Sequence, residues 1–207
     1  MRFVPTLALK TALPFRRFLL GLATAFVLLA LAAPVPAANY NANDESRLNT
    51  AATVNDSANV LNWNPSPADT SSWNGVSWTT VGAEDRVKTI SVDGTRLTGS
   101  LDLSGMTSLQ SLSADQNALT GLNLTGDTAL ESLNVGFNNL GSLDLSANTA
   151  LTELYVYYNN LGSLDLSANT ALTVLSAYYN NLGSLNLSAN TALVSLAVYT
   201  TISAAWT

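Results

Sequence analysis

"YYNNLGSLDLSANTALTVLSAYYNNLGSL", residues 157–185, says nearly the same thing twice. Tyr157-Tyr158-Asn159-Asn160-Leu161 returns 21 residues later as Tyr178-Tyr179-Asn180-Asn181-Leu182. Aligned on Asn117, Asn138, Asn159 and Asn180, the leucines fall in step. One column is Leu112, Leu133, Leu154, Leu175 and Leu196. The next is Leu119, Leu140, Leu161 and Leu182, and a third is Leu122, Leu143, Leu164 and Leu185. "SLDLSANTAL" occurs at 142–151 and 163–172, "SLNLSANTAL" at 184–193, and a diverged copy, "GLNLTGDTAL", at 121–130. "TISVDGTRLTGSLDLSGMTSL" (89–109) reads as the first unit, with one extra residue expected before Leu97.

A unit this short cannot bury a core alone, but stacked copies share one, so stability becomes a sum of neighbour contacts. Leu133, Val135, Leu140, Leu143, Leu145 and Leu151 are expected to point inward. Each such burial is worth roughly 1.5–3 kcal/mol. The asparagine column is expected to lie inside, satisfying backbone groups where the coil turns. The "LDLSANTA" stretch is too short and too rich in Ser, Asn and Thr for a helix, which predicts extended or turn-like structure there.

The pattern Leu-x-x-Leu-x-φ-x-x-Asn-x-Leu-x-x-Leu-x-Leu, with φ apolar, resembles the leucine-rich repeat family. It is closest to the short 21-residue repeats of bacterial internalin-like surface proteins. The resemblance implies a leucine-rich repeat solenoid of the α/β repeat class, rich in β, with a concave parallel sheet and a short convex side. Residues 87–207 then form an array of about five full coils and a partial last one. Within 38–86, Leu61-Asn62-Trp63-Asn64, Trp73-Asn74-Gly75-Val76 and Arg86-Val87 resemble the N-terminal cap of plant leucine-rich repeat receptors and polygalacturonase inhibitors. That cap carries two cysteines; Ser72 and Trp78 stand at about those places here. A small helical cap stabilised by Trp63, Trp73 and Trp78 is expected instead.

Residues 1–37 read as a secretory signal. Arg2, Lys10, Arg16 and Arg17 precede an uncharged run from Phe18 to Ala33, and "VPA" (35–37) offers a cleavage site. An uncleaved anchor is the other reading, but the run is shorter than the ~20 residues a span needs. The expected location is secreted or cell-surface. All 14 acids lie beyond this segment, against only Arg47, Arg86, Lys88 and Arg96. That charge balance argues against nucleic-acid partners and, after signal cleavage, against stable membrane insertion.

The chain has no Cys and no His, which removes thiolate nucleophiles, Cys/His zinc sites and imidazole chemistry. Asp102, Asp144 and Asp165 align in a column with Asn123 and Asn186, but one oxygen per coil is a poor calcium site. An enzyme, a metal and a cofactor are therefore not expected. Sequons at Asn55, Asn123 and Asn186 arise largely from repeat arithmetic.

Function is sought on the concave strands, whose alternate residues face solvent. The expected partner-binding set is Phe137, Glu153, Tyr155, Tyr157, Tyr158, Ser176, Tyr178, Tyr179 and Tyr199. Tyr157, Tyr178 and Tyr199 fall in one column, and Phe137, Tyr158 and Tyr179 in the next. Tyrosine supplies a rigid apolar body with a polar tip, suited to a protein or a neutral glycan. Cross-strand aromatic packing alone is the structural alternative. Two other readings stay open: self-association through the C-terminal end into a surface or filament component, and, more remotely, binding of ice or another ordered surface by the Ser/Thr columns.

Overall fold

The structure is a computed structural model that describes residues 42–55 and 74–198, without the side chains of 49–55. The signal segment, Trp63, Trp73, Tyr199 and the residues after it lie outside the described residues. A helix, α1 (Ala42–Asn55), precedes nine strands: β1 (Val76–Val81), β2 (Glu84–Ser91), β3 (Thr98–Asp102), β4 (Ser111–Ser113), β5 (Ala118–Asn123), β6 (Ser132–Asn134), β7 (Glu153–Tyr155), β8 (Val174–Ser176) and β9 (Ser195–Ala197). Seven of them form one sheet in the order β1-β2-β4-β6-β7-β8-β9. From β2 onward every pair is parallel and in repeat register, as in Leu112↔Leu133, Leu133↔Leu154 and Leu154↔Leu175. Only β1 is antiparallel, folding back on β2 as a hairpin.

This is a leucine-rich repeat solenoid. The six residues expected inside, Leu133, Val135, Leu140, Leu143, Leu145 and Leu151, are all buried. Strands β6 to β9 are three residues long; Leu196 of β9 is exposed, whereas the central leucine of β6, β7 and β8 is buried. The chain then turns away to bury the next leucine.

The asparagine ladder is internal, as expected. Asn159 donates from Nδ2 to the Val135 carbonyl of the preceding coil at 2.8 Å and accepts the Leu140 N–H at 2.9 Å. Asn117, Asn138 and Asn180 repeat both bonds. Each amide thus ties its own coil to the one before it, closing backbone groups that would otherwise be buried unpaired.

A second ladder was not anticipated in the sequence. The asparagine of each "SANT" turn is buried on the opposite side of the core. Asn148 donates to the carbonyls of Leu124 and Asp127, Asn169 to those of Leu145 and Asn148, and Asn190 to those of Leu166 and Asn169. The "SANT" columns are therefore only partly a surface feature. In the earliest rung the residue is Asp127.

The convex side is turn-like from the third coil on, as expected, but the first two coils add a parallel pair, β3 and β5. Those coils read Leu-Thr-Gly (Leu97-Thr98-Gly99 and Leu119-Thr120-Gly121), with a β-branched residue after the leucine. Later coils place Gly141, Gly162 or Gly183 there, and glycine weakens a strand. The first coil's extra residue falls after Leu97, not before it. Ile90 pairs with Leu112 but Leu101 with Leu122, and the register slips between Gly99 and Ser100.

The helical cap is held by charge and apolar contact. Leu48 enters the core, and Asp44, fully buried, accepts Arg86 Nε at 3.0 Å, Arg86 Nη2 at 3.1 Å and the Val87 N–H at 2.8 Å. The hydrogen bond to Asp44 holds the Arg86 guanidinium above its ordinary pKa. Asp44 and Glu45 also sit in the first turn of α1, where the helix dipole favours anions. Arg47 pairs with Asp102, but both side chains are about a third exposed. We expect Asp44→Ala to lower stability by about 2–3 kcal/mol, because it strands a largely buried guanidinium. Arg47→Ala should cost under about 1 kcal/mol. Urea unfolding of the two variants checks the contrast.

Candidate functional site

The concave strands end early. β7 stops at Tyr155, and the two residues before each ladder asparagine lie beyond the strand. There the backbone takes a left-handed turn at Gln116, Phe137, Tyr158 and Tyr179, with φ of 54°, 46°, 49° and 53°, and in the first coil at Gly94, with φ of 63°. The turn swings the following residue's side chain inward; that residue is a ladder asparagine in every coil but the first. Left-handed backbone costs an L-residue roughly 1–2 kcal/mol, and glycine or asparagine is its usual occupant. Three successive coils nevertheless put an aromatic ring there.

Those rings form a continuous stack. Phe137 lies on Tyr158 with centroids 4.4 Å apart and planes 9° apart, and Tyr158 lies on Tyr179 at 4.3 Å and 25°. All three are exposed, at 45%, 39% and 58%. The neighbouring column stacks Tyr157 on Tyr178 at 5.1 Å and 8°. Edge-on contacts interlock the columns: Phe137–Tyr157 at 5.5 Å, Tyr158–Tyr178 at 5.6 Å and Tyr178–Tyr179 at 5.6 Å. Pairs of this kind contribute about 0.5–1.5 kcal/mol each, enough to offset much of the backbone cost. Phe137, Tyr158 and Tyr179 line a shallow groove of about 400 Å³ together with Asn139 and Asn160, whose side chains are exposed. No charged residue lines it.

The expected residues are therefore not equivalent. Phe137, Tyr158 and Tyr179 form the exposed ridge. Tyr157 and Tyr178 are half-buried beside it, and Glu153 and Tyr155 are half-buried on β7. Ser176 departs from expectation: it is only 8% exposed. Its short side chain sits in register between Tyr155 and Ala197, with the larger Tyr178 two residues on. Asp115, in the same column as Tyr157, is buried at 7% exposure. Its Oδ1 accepts the Tyr157 hydroxyl at 3.0 Å across two coils. Burial first, and then this carboxylate, push the Tyr157 phenol up to about 12.

Gly136 was not singled out in the sequence, although its column supplied a signal: later coils carry tyrosine at that place.

The Asp102, Asn123, Asp144, Asp165 and Asn186 column caps turns. Each Oδ1 accepts the N–H two residues on, at Ser104, Thr125, Ser146, Ser167 and Ser188. Hydrogen bonds from Ser146 and Ser167 hold Asp144 and Asp165 below the usual carboxylate range. Among the described residues, no group of three or more potential metal ligands comes together, and no helix is long and apolar enough to cross a membrane.

Among the described residues these features define a repeat scaffold carrying an aromatic surface, and comparison with solved structures agrees on the fold. The leucine-rich repeat ectodomain of the receptor kinase SOBIR1 from Arabidopsis thaliana aligns at 20% identity with a TM-score of 0.58. The alignment covers 77% of this chain and 94% of that one. The functional domain of InlJ from Listeria monocytogenes, which includes a cysteine ladder, aligns at 25% identity with a TM-score of 0.34 over 51% of this chain. This chain spans about a third of that domain's length, 33%. No protein-family model and no curated protein matches the sequence.

Proposed function

We propose that this chain is an exported, non-enzymatic binding protein that recognises a protein partner through its aromatic concave ridge. The observation that carries the reading is the column Phe137, Tyr158, Tyr179: exposed aromatic rings held on left-handed backbone, where a purely structural turn would place glycine or asparagine. Rigid aromatics around a groove with exposed amides at its edge have the composition of a recognition surface.

The stacking favours protein over glycan. Both faces of Tyr158 are covered, by Phe137 and by Tyr179. A sugar ring stacks on an aromatic face, and here mainly edges and hydroxyl tips are offered. A protein surface can use those. Its charge is constrained as well: no Lys or Arg follows Arg96, while Asp93 is exposed and Glu153 half-buried on the concave side. The partner's docking face is accordingly uncharged to basic.

Capture from surface and secreted material, run beside a neutral-glycan panel, tests this with the wild type and with Tyr158→Ser/Tyr179→Ser. Circular dichroism first establishes that both are folded. We expect a protein retained by the wild type and lost, by more than about 100-fold in affinity, with the variant. Retention of glycans alone, or equal capture by both proteins, contradicts it.

A further inference from the structure

Tyr157 was expected to face a partner, yet its hydroxyl is committed inward. Its ring leans back over the preceding coil and donates to Asp115 Oδ1 at 3.0 Å, 42 residues earlier. The residue between them in the column is Gly136. A Cβ built on Gly136 would stand 2.4 Å from Tyr157 Cζ, 2.5 Å from its Cε2 and 2.6 Å from Asp115 Oδ1. No side chain fits beneath that ring. Gly136 has no positive φ, so the backbone conformation does not demand glycine there; the space under Tyr157 does.

Asp115 is itself fixed. Its N–H donates to Asp93 Oδ1 at 2.7 Å, and its Oδ2 accepts Gln116 Nε2 at 3.0 Å. Two coils before Tyr178 its column holds Gly136 in place of a carboxylate. Tyr178 lies flat on Tyr157, 8° from parallel with centroids 5.1 Å apart. Phe137 meets the same ring edge-on.

We infer that Tyr157 is a latch, locked across Gly136 to Asp115, and that it positions Phe137 and Tyr178 in the arrangement a partner meets. Gly136 and Asp115 are then positioning residues of the surface without touching the partner. This role rests on the reading of the aromatic ridge as the binding site, but its physical content is testable without a partner. A preformed surface loses less side-chain freedom on binding, which is how such a latch raises affinity.

The test compares Gly136→Ala and Asp115→Asn with Tyr157→Phe as the assignment control. Each is examined by near-ultraviolet circular dichroism at neutral pH and by alkaline phenolate titration. In the wild type one tyrosine should titrate near 12 and disappear from the titration in Tyr157→Phe. In Gly136→Ala that tyrosine should fall toward the ordinary value of about 10. The near-ultraviolet signal of the stacked rings should drop to about half or less, with the far-ultraviolet spectrum unchanged. Should Gly136→Ala fail to fold, Asp115→Asn reads the same tie, with the phenol again lowered. A high-titrating Tyr157 in both variants, or an undiminished aromatic signal in both, overturns the latch. Because neither readout involves a ligand, loss of the latch and loss of the binding reading are told apart.

Discussion

Asn138→Ala should destabilise the solenoid by about 2–3 kcal/mol, a large share of the stability of a domain this size. Asn138 is 7% exposed and is fully used. Its Nδ2 lies 2.9 Å from the Ala114 carbonyl of the preceding coil, and 3.2 and 3.0 Å from the Val135 and Gly136 carbonyls of its own. Its Oδ1 accepts the N–H of Leu119, itself buried, at 2.9 Å. Alanine leaves that N–H without a partner, while the Ala114 carbonyl keeps Asn117 Nδ2 at 3.0 Å. At ~1–3 kcal/mol for a buried orphan, this loss carries most of the effect, and the small void adds to it. The measurement is urea unfolding, with a lower midpoint at unchanged slope. Asn180→Ala should cost less, because Asn180 is half-buried and makes one bond fewer. Equal small effects at both positions would mean that the ladder does not hold the coils together.

Asp127→Asn should act in the opposite direction and stabilise the protein, by about 3–4 kcal/mol at pH 8. Asp127 occupies the second ladder, where Asn148, Asn169 and Asn190 stand in the following coils. It is fully buried. Its Oδ1 accepts the Met106 N–H at 2.8 Å, but its Oδ2 is buried without a hydrogen-bond partner. Burial is the largest cause that raises its pKa from 3.8 to about 7, with Asp44 and Asp102 adding repulsion against the bonds from Met106 and Gly105. The sign follows directly. Between about 4 and about 7 the folded state holds the proton that the unfolded state has released. This group's contribution to stability is therefore intact at acid pH and is lost as pH rises through 7. Asparagine stays neutral and can donate to the neighbouring carbonyls as its equivalents do. Unfolding free energies of wild type and variant, taken from pH 4 to pH 8, should converge at the acid end and diverge toward the alkaline end. Parallel curves would show that Asp127 does not titrate in this window.

What could be read from the chain beforehand was the part governed by repetition. Leucine columns fix which side chains share a core, and a column of asparagines at the turn fixes an internal ladder, because both rest on identical neighbours one coil away. The second ladder hid in plain view. Asn148, Asn169 and Asn190 repeat as faithfully as Asn159, but within a run of Ser, Ala and Thr that reads as solvated turn. Only the depth of the turn makes them internal. At the surface, periodicity identified the aromatic columns but not their division of labour. Strict alternation would expose Tyr157 and Ser176 and turn Tyr158 to the other face. The left-handed turn after each short strand breaks that alternation, lifting Phe137, Tyr158 and Tyr179 onto a ridge. The departure of Gly136 from its column then lets Tyr157 fold down. The turn recurs in every described coil but is a backbone feature that the leucine columns do not announce, whereas Gly136 differs from the repeat, where copying carries no information.

The most direct measurement is the affinity of the captured partner for three versions of the protein. These are the wild type, the ridge variant Tyr158→Ser/Tyr179→Ser, and a convex-side control, Ser146→Ala/Thr149→Ala, all shown to be folded. Recognition through the aromatic ridge predicts a loss of more than about 100-fold for the ridge variant and less than about threefold for the control. A ridge variant that binds as tightly as the wild type, or a control that loses as much, would contradict it and leave the rings as packing between coils.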